Sequence, residues 1–279
     1  MAFGDNLWPT NEVLGGAGSV DRPYPSYTAV LKTGSKATWQ GVIAAGAVTA
    51  DCHWIEVEVV DTMANATDTS AVLDIGVDPA GGTSYAVAIA DLLVGHADDW
   101  HSNNGVGGSI RYHLPLKVAS GSSVAIRGQT VTGADKNAGV LVRMRGNVTG
   151  TTYVPATCTT HGITGTAGTS ITPGSDAWGS WTSVGSATAA DYQALVLGVQ
   201  PVAGTTINRN LLQFQMGWSS TVKTGIVWVH TSTLEAMNLV SLPHYVLVPS
   251  GSQLQVRAAA NSGGTIDNPR VAIYGLSAT

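Results

Sequence analysis

Apolar and polar residues alternate in short runs along most of the chain. Trp54, Ile55, Val57 and Val59 in "WIEVEV", and Leu195, Leu197 and Val199 in "ALVLGV", keep a period of two. That period sends successive side chains to opposite faces of an extended strand. Clusters such as "SNNGVGGS" and "NSGGTIDNP" separate the runs and read as turns. Long helical periodicity is lacking. The pattern predicts strands near 39–44, 53–60, 71–77, 85–93, 110–118, 123–129 and 139–146. Seven or eight short antiparallel strands in about 110 residues describe a sandwich, of jelly-roll type rather than immunoglobulin type.

The pattern also recurs. "LPLKVASGSSVAIRGQ", from Leu114 to Gln129, reads like "LPHYVLVPSGSQLQVRAA", from Leu242 to Ala259. In register, Ser120-Gly121-Ser122 lies over Ser250-Gly251-Ser252, and Arg127 over Arg257. Upstream, "TWQGV" (Thr38 to Val42) matches "SWTSV" (Ser180 to Val184), and "TADCHWIEVEV" matches "AADYQALVLGV". "LDIG" (Leu73 to Gly76) matches "FQMG" (Phe214 to Gly217), and downstream "VRMRG" (Val142 to Gly146) matches "VAIYG" (Val271 to Gly275). Matched blocks in one order predict an all-β fold of two tandem antiparallel β-sandwich (jelly-roll-like) domains from an internal duplication. Each "SGS" is a tight turn between two strands, and Gly121 and Gly251 supply its positive φ.

The domains are placed at 38–147 and 177–279. Residues 1–37 carry Pro9, Pro23 and Pro25 and isolated aromatics, too little for a core, and read as an extended N-terminal arm. Its removal is expected to leave both sandwiches folded. Residues 148–176, rich in Thr and Gly, read as a linker, with at most an edge strand where Tyr153 and Val154 fall.

Composition narrows the function. Charged residues are 11% of the chain, against roughly 25% in an ordinary soluble domain. So little charge points to surface buried against partners, and the chain is expected to form a homo-oligomer, for instance a trimer. A net charge of −5 with scattered Lys and Arg argues against nucleic acid as a partner. "MAFGDNLWPT" has neither a positive leader nor an apolar core, and no run of 18 apolar residues occurs, so neither export through the Sec route nor a membrane span is expected. Cys52 and Cys158 lack C-x-x-C spacing and are expected as free thiols, Cys52 in a buried strand.

No stretch spells out a reaction. His96, Asp98, Asp99 and His101 in "GHADDWHSNN" are the richest polar cluster, but their spacing fits no metal motif and they read as a solvated loop. No G-x-S-x-G stands on a strand-to-helix turn. Glu56 and Glu58 share one sheet face, expected to be solvated. "GVGG" and "GTAG" lack the Lys and the context of a phosphate loop. No catalytic, cofactor-binding or metal residue is assigned, no cofactor is expected, and the chain is read as non-enzymatic.

Aromatics are the stronger lead. Phe3, Trp8, Tyr24 and Tyr27 are candidate anchors of the arm, and Trp100 and Trp178, set among polar and glycine residues, are candidate interface contacts. Trp100, Trp178, Trp181, Trp218 and Trp228 could also stack against sugar rings. Trp39 and Trp181, aligned with each other, read as packing at the rim of each sandwich.

The frame of a W-x-x-V strand (Trp39 to Val42), a strand ending in Asp74-Ile75-Gly76, and "LPLKVASGSSVAIRGQ" resembles small β-sandwich virion proteins of tailed bacteriophages. The resemblance covers roughly residues 38–147 and, more loosely, 178–279. "MAFGDN" before a Pro-rich arm is similar as well, while the second repeat departs from the frame with "FQMG" and "PSGSQLQVRAA". The resemblance implies a virion location and capsid or tail subunits as partners. It implies a head decoration or capsid-stabilising protein, held to the shell by its arm and one sandwich, or alternatively a tail or fibre adhesin for a host glycan.

Overall fold

The structure, a computed structural model, describes residues 12–15, 27–60, 71–94, 109–131, 136–146, 155–200, 210–231, 236–237, 240–261 and 268–278. Every regular element among them is a strand, and the protein is all-β.

The first half contains β1 (Glu12–Gly15), β2 (Tyr27–Thr33), β3 (Gln40–Ile43), β4 (Trp54–Val60) and β5 (Ala71–Asp78). It continues with β6 (Ala86–Leu93), β7 (Ser109–Leu114), β8 (Ser123–Thr130) and β9 (Lys136–Arg145). These form a 9-stranded sheet in the order β6-β5-β8-β2-β9-β4-β7, with β3 beside β8 and β1 beside β9. Strand β2 runs parallel to β8 and antiparallel to β9, so it stitches two layers of the sandwich together. Leu31, Ile55, Leu73, Ile75, Ile126 and Val142 are fully buried in its core.

The second half opens with β10 (Thr157–His161), β11 (Thr169–Ser170), β12 (Gly174–Ser175), β13 (Thr182–Ser183), β14 (Tyr192–Gln200) and β15 (Asn210–Trp218). After these come β16 (Thr221–Val222), β17 (Val227–Thr231), β18 (Ala236–Met237), β19 (His244–Val248), β20 (Leu254–Ala260) and β21 (Arg270–Ser277). One sheet is 5-stranded, β10-β21-β14-β19 with β11 on β21. The other is 7-stranded, β12-β20-β15-β17-β18 with β13 and β16 attached.

The pairing scheme of the first half recurs in the second. Strand β13 lies antiparallel to β20 as β3 does to β8, and β12 lies parallel to β20 as β2 does to β8. Asp74 stands opposite Arg127, and Gln215 opposite Arg257. The "SGS" turns share their bonds too. Gly121 N–H donates to Val48 O at 2.8 Å and Gly251 N–H to Thr188 O at 2.8 Å, with φ of 83° and 81°. Ser120 N–H donates to Asp51 Oδ1 at 2.9 Å, and Ser250 N–H to Asp191 Oδ1 at 2.6 Å. The Ser120 amide and Lys117 hold the Asp51 carboxyl below its usual range.

The last matched block is displaced. Val57 stands opposite Val142, whereas Leu197 stands opposite Ile273, so the counterpart of Arg143 is Tyr274 rather than Ala272. A shift of two residues keeps every side chain on its own face, so the hydrophobic pattern alone does not distinguish the two registers.

Two segments that the sequence sets apart belong to the sheets. Residues 27–33 of the expected arm are β2, whose Leu31 is fully buried and touches the space that a Cβ on Gly128 would fill. Removing 1–37 therefore strips a strand from the first sandwich. Similarly, β10, β11 and β12 lie within the expected linker at 148–176. Their sequences, "TCTTH", "TS" and "GS", show no apolar alternation because edge strands are held through backbone pairing and only one of their faces is covered.

The halves join over the free edge of β6. Tyr274 hydroxyl accepts from Leu93 N–H at 2.9 Å and donates to Asp91 O at 3.0 Å. Tyr112 hydroxyl donates to Leu93 O at 2.8 Å, and Thr160 Oγ1 donates to Ala90 O at 2.5 Å. Side chains thus satisfy backbone groups that an unpaired strand edge leaves open. Burial pushes the Tyr112 and Tyr274 hydroxyls far above their ordinary pKa, so both stay neutral donors. A Cβ at Gly198 would come within 2.8 Å of Tyr112 Oη, so glycine there permits the close approach.

Cys52 is a buried free thiol bridged to Val118 through the backbone, and burial raises its pKa. Cys158 is also free, and loss of solvent pushes its thiol up to about 12. Both therefore stay protonated and unreactive near neutral pH.

Candidate functional site

The loop that leads into β3 and the loop that leads into β13 each carry a tryptophan just before the strand. In the first half this loop runs from Gly34 to Trp39; in the second, from Asp176 to Trp181. Gly34 N–H donates to Thr130 O at 3.1 Å and Asp176 N–H to Ala260 O at 2.8 Å. Ala37 N–H donates to Gly128 O at 2.9 Å and Gly179 N–H to Ala258 O at 2.8 Å. The loops are therefore equivalent residue by residue: Gly34 with Asp176, Lys36 with Trp178, and Trp39 with Trp181.

In the first half the Arg127 guanidinium lies 4.3 Å from the Trp39 ring centroid and its Nε donates to Asp74 Oδ2 at 2.9 Å. Asp74 is buried, and its Oδ1 also accepts from Lys36 Nζ at 2.6 Å and from Asp91 N–H at 2.9 Å. Lys36 Nζ reaches Asp91 Oδ1 at 2.6 Å as well. The carboxylate is fully engaged, and Trp39 tilts against Tyr85 at 5.9 Å, closing this site.

In the second half the charges change. Gln215 replaces Asp74, and its Oε1 accepts from Arg257 Nε at 2.9 Å and Nη2 at 2.7 Å. The guanidinium lies 4.7 Å from the Trp181 centroid and 5.1 Å from the Trp178 centroid. Arg257 is thus held by a neutral amide and two π faces, each cation–π contact contributing about 0.5–1 kcal/mol at a half-exposed site.

Beside this stack opens a groove of about 320 Å³, lined by Asp176, Trp178, Gln213 and Asn261 over Ala259 and Ala260. Gln213 faces it because it is two residues from Gln215 on β15, opposite Ala259 of β20. The loop that carries Asp176 and Trp178 is tight: a Cβ on Gly174 would lie 2.4 Å from Ala177 O, and one on Gly179 2.5 Å from Thr172 O. Asp176 itself takes a positive φ of 51°.

A second polar cluster lies on the outer face of β4, β7 and β9. Arg143 Nη1 meets Glu56 Oε1 at 2.6 Å, Arg111 Nη2 meets Glu58 Oε1 at 2.8 Å, and Arg145 Nη2 meets Glu56 Oε2 at 3.4 Å. Glu56 and Glu58 do share a face, but Glu56 is not solvated as expected: it is 3% exposed beneath the arginines, while Arg111 above it is exposed. Burying a carboxylate demands such partners, and three arginines across neighbouring strands supply them. The matching face of the second half carries Val196, Gly198, Tyr274 and Leu276, which are the residues turned toward the first half.

Of the residues singled out from sequence, Trp178 forms part of the groove. Tyr27 opens β2, opposite Val140. Phe3, Trp8, Tyr24 and Trp100 lie outside the described residues, as do His96, Asp98, Asp99 and His101. Among the described residues no three or more His, Cys, Asp or Glu side chains gather as a metal site would require. Asp176, Gln213 and Asn261 were missed because they come together only through the sheet, although the Asp74-to-Gln215 exchange was visible in "LDIG" and "FQMG".

No family model matches the chain, and no curated protein matches it. Among solved structures, the chain is similar to one from the cryo-EM structure of Broad Bean Stain Virus, with 9% identity, TM-score 0.34, and 99% of this chain and 92% of that chain covered. A chain from Sulfolobus Turreted Icosahedral Virus follows at 11% identity and TM-score 0.32, with 90% of each chain covered. The tandem CBM22 domains of Paenibacillus barcinonensis Xyn10C give 11% identity and TM-score 0.22 over 91% of this chain and 96% of that one. At these scores the similarities carry no argument about function.

Proposed function

We propose that the chain is a non-enzymatic structural protein of a tailed-phage particle that decorates the head and stabilises its shell. The observation that carries this reading is an open apolar edge. Strand β19 pairs with β14 at the margin of its sheet; Tyr245 and Leu247 on it are 71% and 77% exposed, and Leu242 just before it is 70% exposed. An edge strand with bare apolar side chains invites another chain to cover it. The edge of β6 is sealed from within by Tyr274 and Thr160, whereas among the described residues no second strand pairs with β19. A shell subunit, repeated by particle symmetry, fits an uncharged patch on a chain with 11% charged residues. The resemblance of the sequence frame to tailed-phage virion proteins supports the same reading.

Immunogold labelling of purified particles tests it. Dense label over the head is the expected result, and Tyr245→Lys with Leu247→Lys should remove that label while the chain stays folded. Particles that carry no label would refute the reading. A second reading, a tail or fibre adhesin for a host glycan, is favoured by the groove beside Trp178; label confined to the tail would select it.

A further inference from the structure

We propose that the groove beside Trp178 is a binding site for a neutral sugar, and that it distinguishes the second sandwich from the first. The proposal holds wherever the chain sits on a particle.

The chemistry of the lining fits a pyranose. A sugar ring offers an apolar C–H face and a rim of hydroxyls, each both donor and acceptor. Trp178 supplies an aromatic surface for the C–H face. The Asp176 carboxylate and the amides of Gln213 and Asn261 bring acceptor and donor groups to the lining. Ala259 and Ala260 keep the floor low and free of competing groups. A volume of about 320 Å³ lies at the small end of ligand pockets, enough for about one or two sugar rings.

Comparison with the sister sandwich shows that these residues are not what the fold requires. The ladders pair Gly34 with Asp176, Lys36 with Trp178, Val72 with Gln213 and Val131 with Asn261. Gly34 takes φ of 72° at no steric cost, and the second half places an aspartate at φ 51° in the same turn. The turn forms without a carboxylate in the first half, and in the second half the aspartate lines the groove. In the first half Lys36 is spent on the buried Asp74. Exchange of Asp74 for Gln215 releases the position, and a tryptophan fills it, set against Arg257 at 5.1 Å. Three of the four exchanges, Gly to Asp, Val to Gln and Val to Asn, add hydrogen-bonding groups, and the fourth adds an indole. The loop is held by Gly174 and Gly179, so ordering it costs binding little.

The test uses the full chain. Methyl glucoside, galactoside and mannoside, their oligosaccharides, and an array that also carries acidic glycans serve as probes, read by calorimetry and tryptophan fluorescence. The variants are Asp176→Gly, which installs the residue the sister turn already uses, Gln213→Val, which does the same on β15, and Trp178→Ala. Lys36→Ala is the control in the other sandwich. Binding of at least one neutral saccharide is expected, weakened about tenfold or more by Asp176→Gly and by Gln213→Val, abolished by Trp178→Ala and unchanged by Lys36→Ala. Unchanged circular dichroism and melting temperature in Asp176→Gly show that the loss is one of binding. No neutral saccharide bound at millimolar concentration, binding of acidic glycans alone, or equal binding by Asp176→Gly and the parent would each overturn the proposal. Head or tail location, read by immunogold, is independent of all these outcomes.

Discussion

Replacing Tyr274 by Phe removes one oxygen from the junction between the halves and tests what holds them together. The ring stays: its edge-on contact with Tyr112, with centroids 5.4 Å apart and planes at 87°, does not need the hydroxyl. What is lost is the acceptor for Leu93 N–H at 2.9 Å and the donor to Asp91 O at 3.0 Å. Both backbone groups lie on the free edge of β6, where no strand can replace the hydroxyl. An orphaned buried backbone group costs about 1–3 kcal/mol. The Leu93 amide is buried and should incur most of that, while the Asp91 carbonyl, partly open to water, should incur less. The sum is about 2–4 kcal/mol, or roughly 5–10 °C in melting temperature for a chain of this size. Urea titration at neutral pH, followed by tryptophan fluorescence and far-ultraviolet circular dichroism, reads the change in midpoint. Tyr112→Phe, which loses a bond to Leu93 O at 2.8 Å, should cost only about 1 kcal/mol, because a carbonyl tolerates a missing donor better than an amide tolerates a missing acceptor. A shift below about 0.5 kcal/mol for Tyr274→Phe would refute the argument that the tyrosine seals the edge.

Three further predictions follow from the same geometry. Gly121→Ala and Gly251→Ala should each cost about 1 kcal/mol, because φ there is 83° and 81° while a Cβ meets nothing within 4 Å; thermal unfolding of the two variants should agree, and a large difference would show that the turns are not equivalent. Burial lowers the pKa of His161, His113 and His244. The unfolded chain then binds more protons than the folded one below its histidine pKa of about 6.5, so stability is full above that pH and falls as pH drops through it. Urea midpoints measured from pH 7 to 5 should decline, and His161→Gln should flatten the decline; a flat profile in the parent would contradict it. Truncation of residues 1–33 removes β2 with buried Leu31 and should cost the first sandwich its cooperative unfolding; amide exchange that stays protected in β8 and β9 would count against the stitching role of β2.

The strands were largely legible. Alternation in "WIEVEV" and "ALVLGV" located β4 and β14, and the repeated "SGS" located turns whose hydrogen bonds agree. Hydrophobic alternation is written into sequence wherever one strand face is buried, so it survives without knowledge of the partner strand. The same reasoning left β10, β11 and β12 in a linker and β2 in an arm, because backbone pairing at an edge asks nothing of the side chains. It also placed the last block two residues from its ladder, since period two does not distinguish registers an even number apart.

Alternation and the repeated blocks are enough to establish β structure and to give Arg127 and Arg257, Trp39 and Trp181, and Asp74 and Gln215 matching places. How those places differ depends on the packed sheets. The tertiary structure put Glu56 under three arginines, turned the matching face with Tyr274 toward the edge of β6, and set Asp176 where Gly34 suffices. Burial and hydrogen bonding depend on what packs across from a residue, and here those partners are far apart in the chain: Leu93 with Tyr274, Gln213 with Trp178, Gln215 with Arg257. A local pattern encodes which way a side chain points; only the assembled sheets fix what it meets.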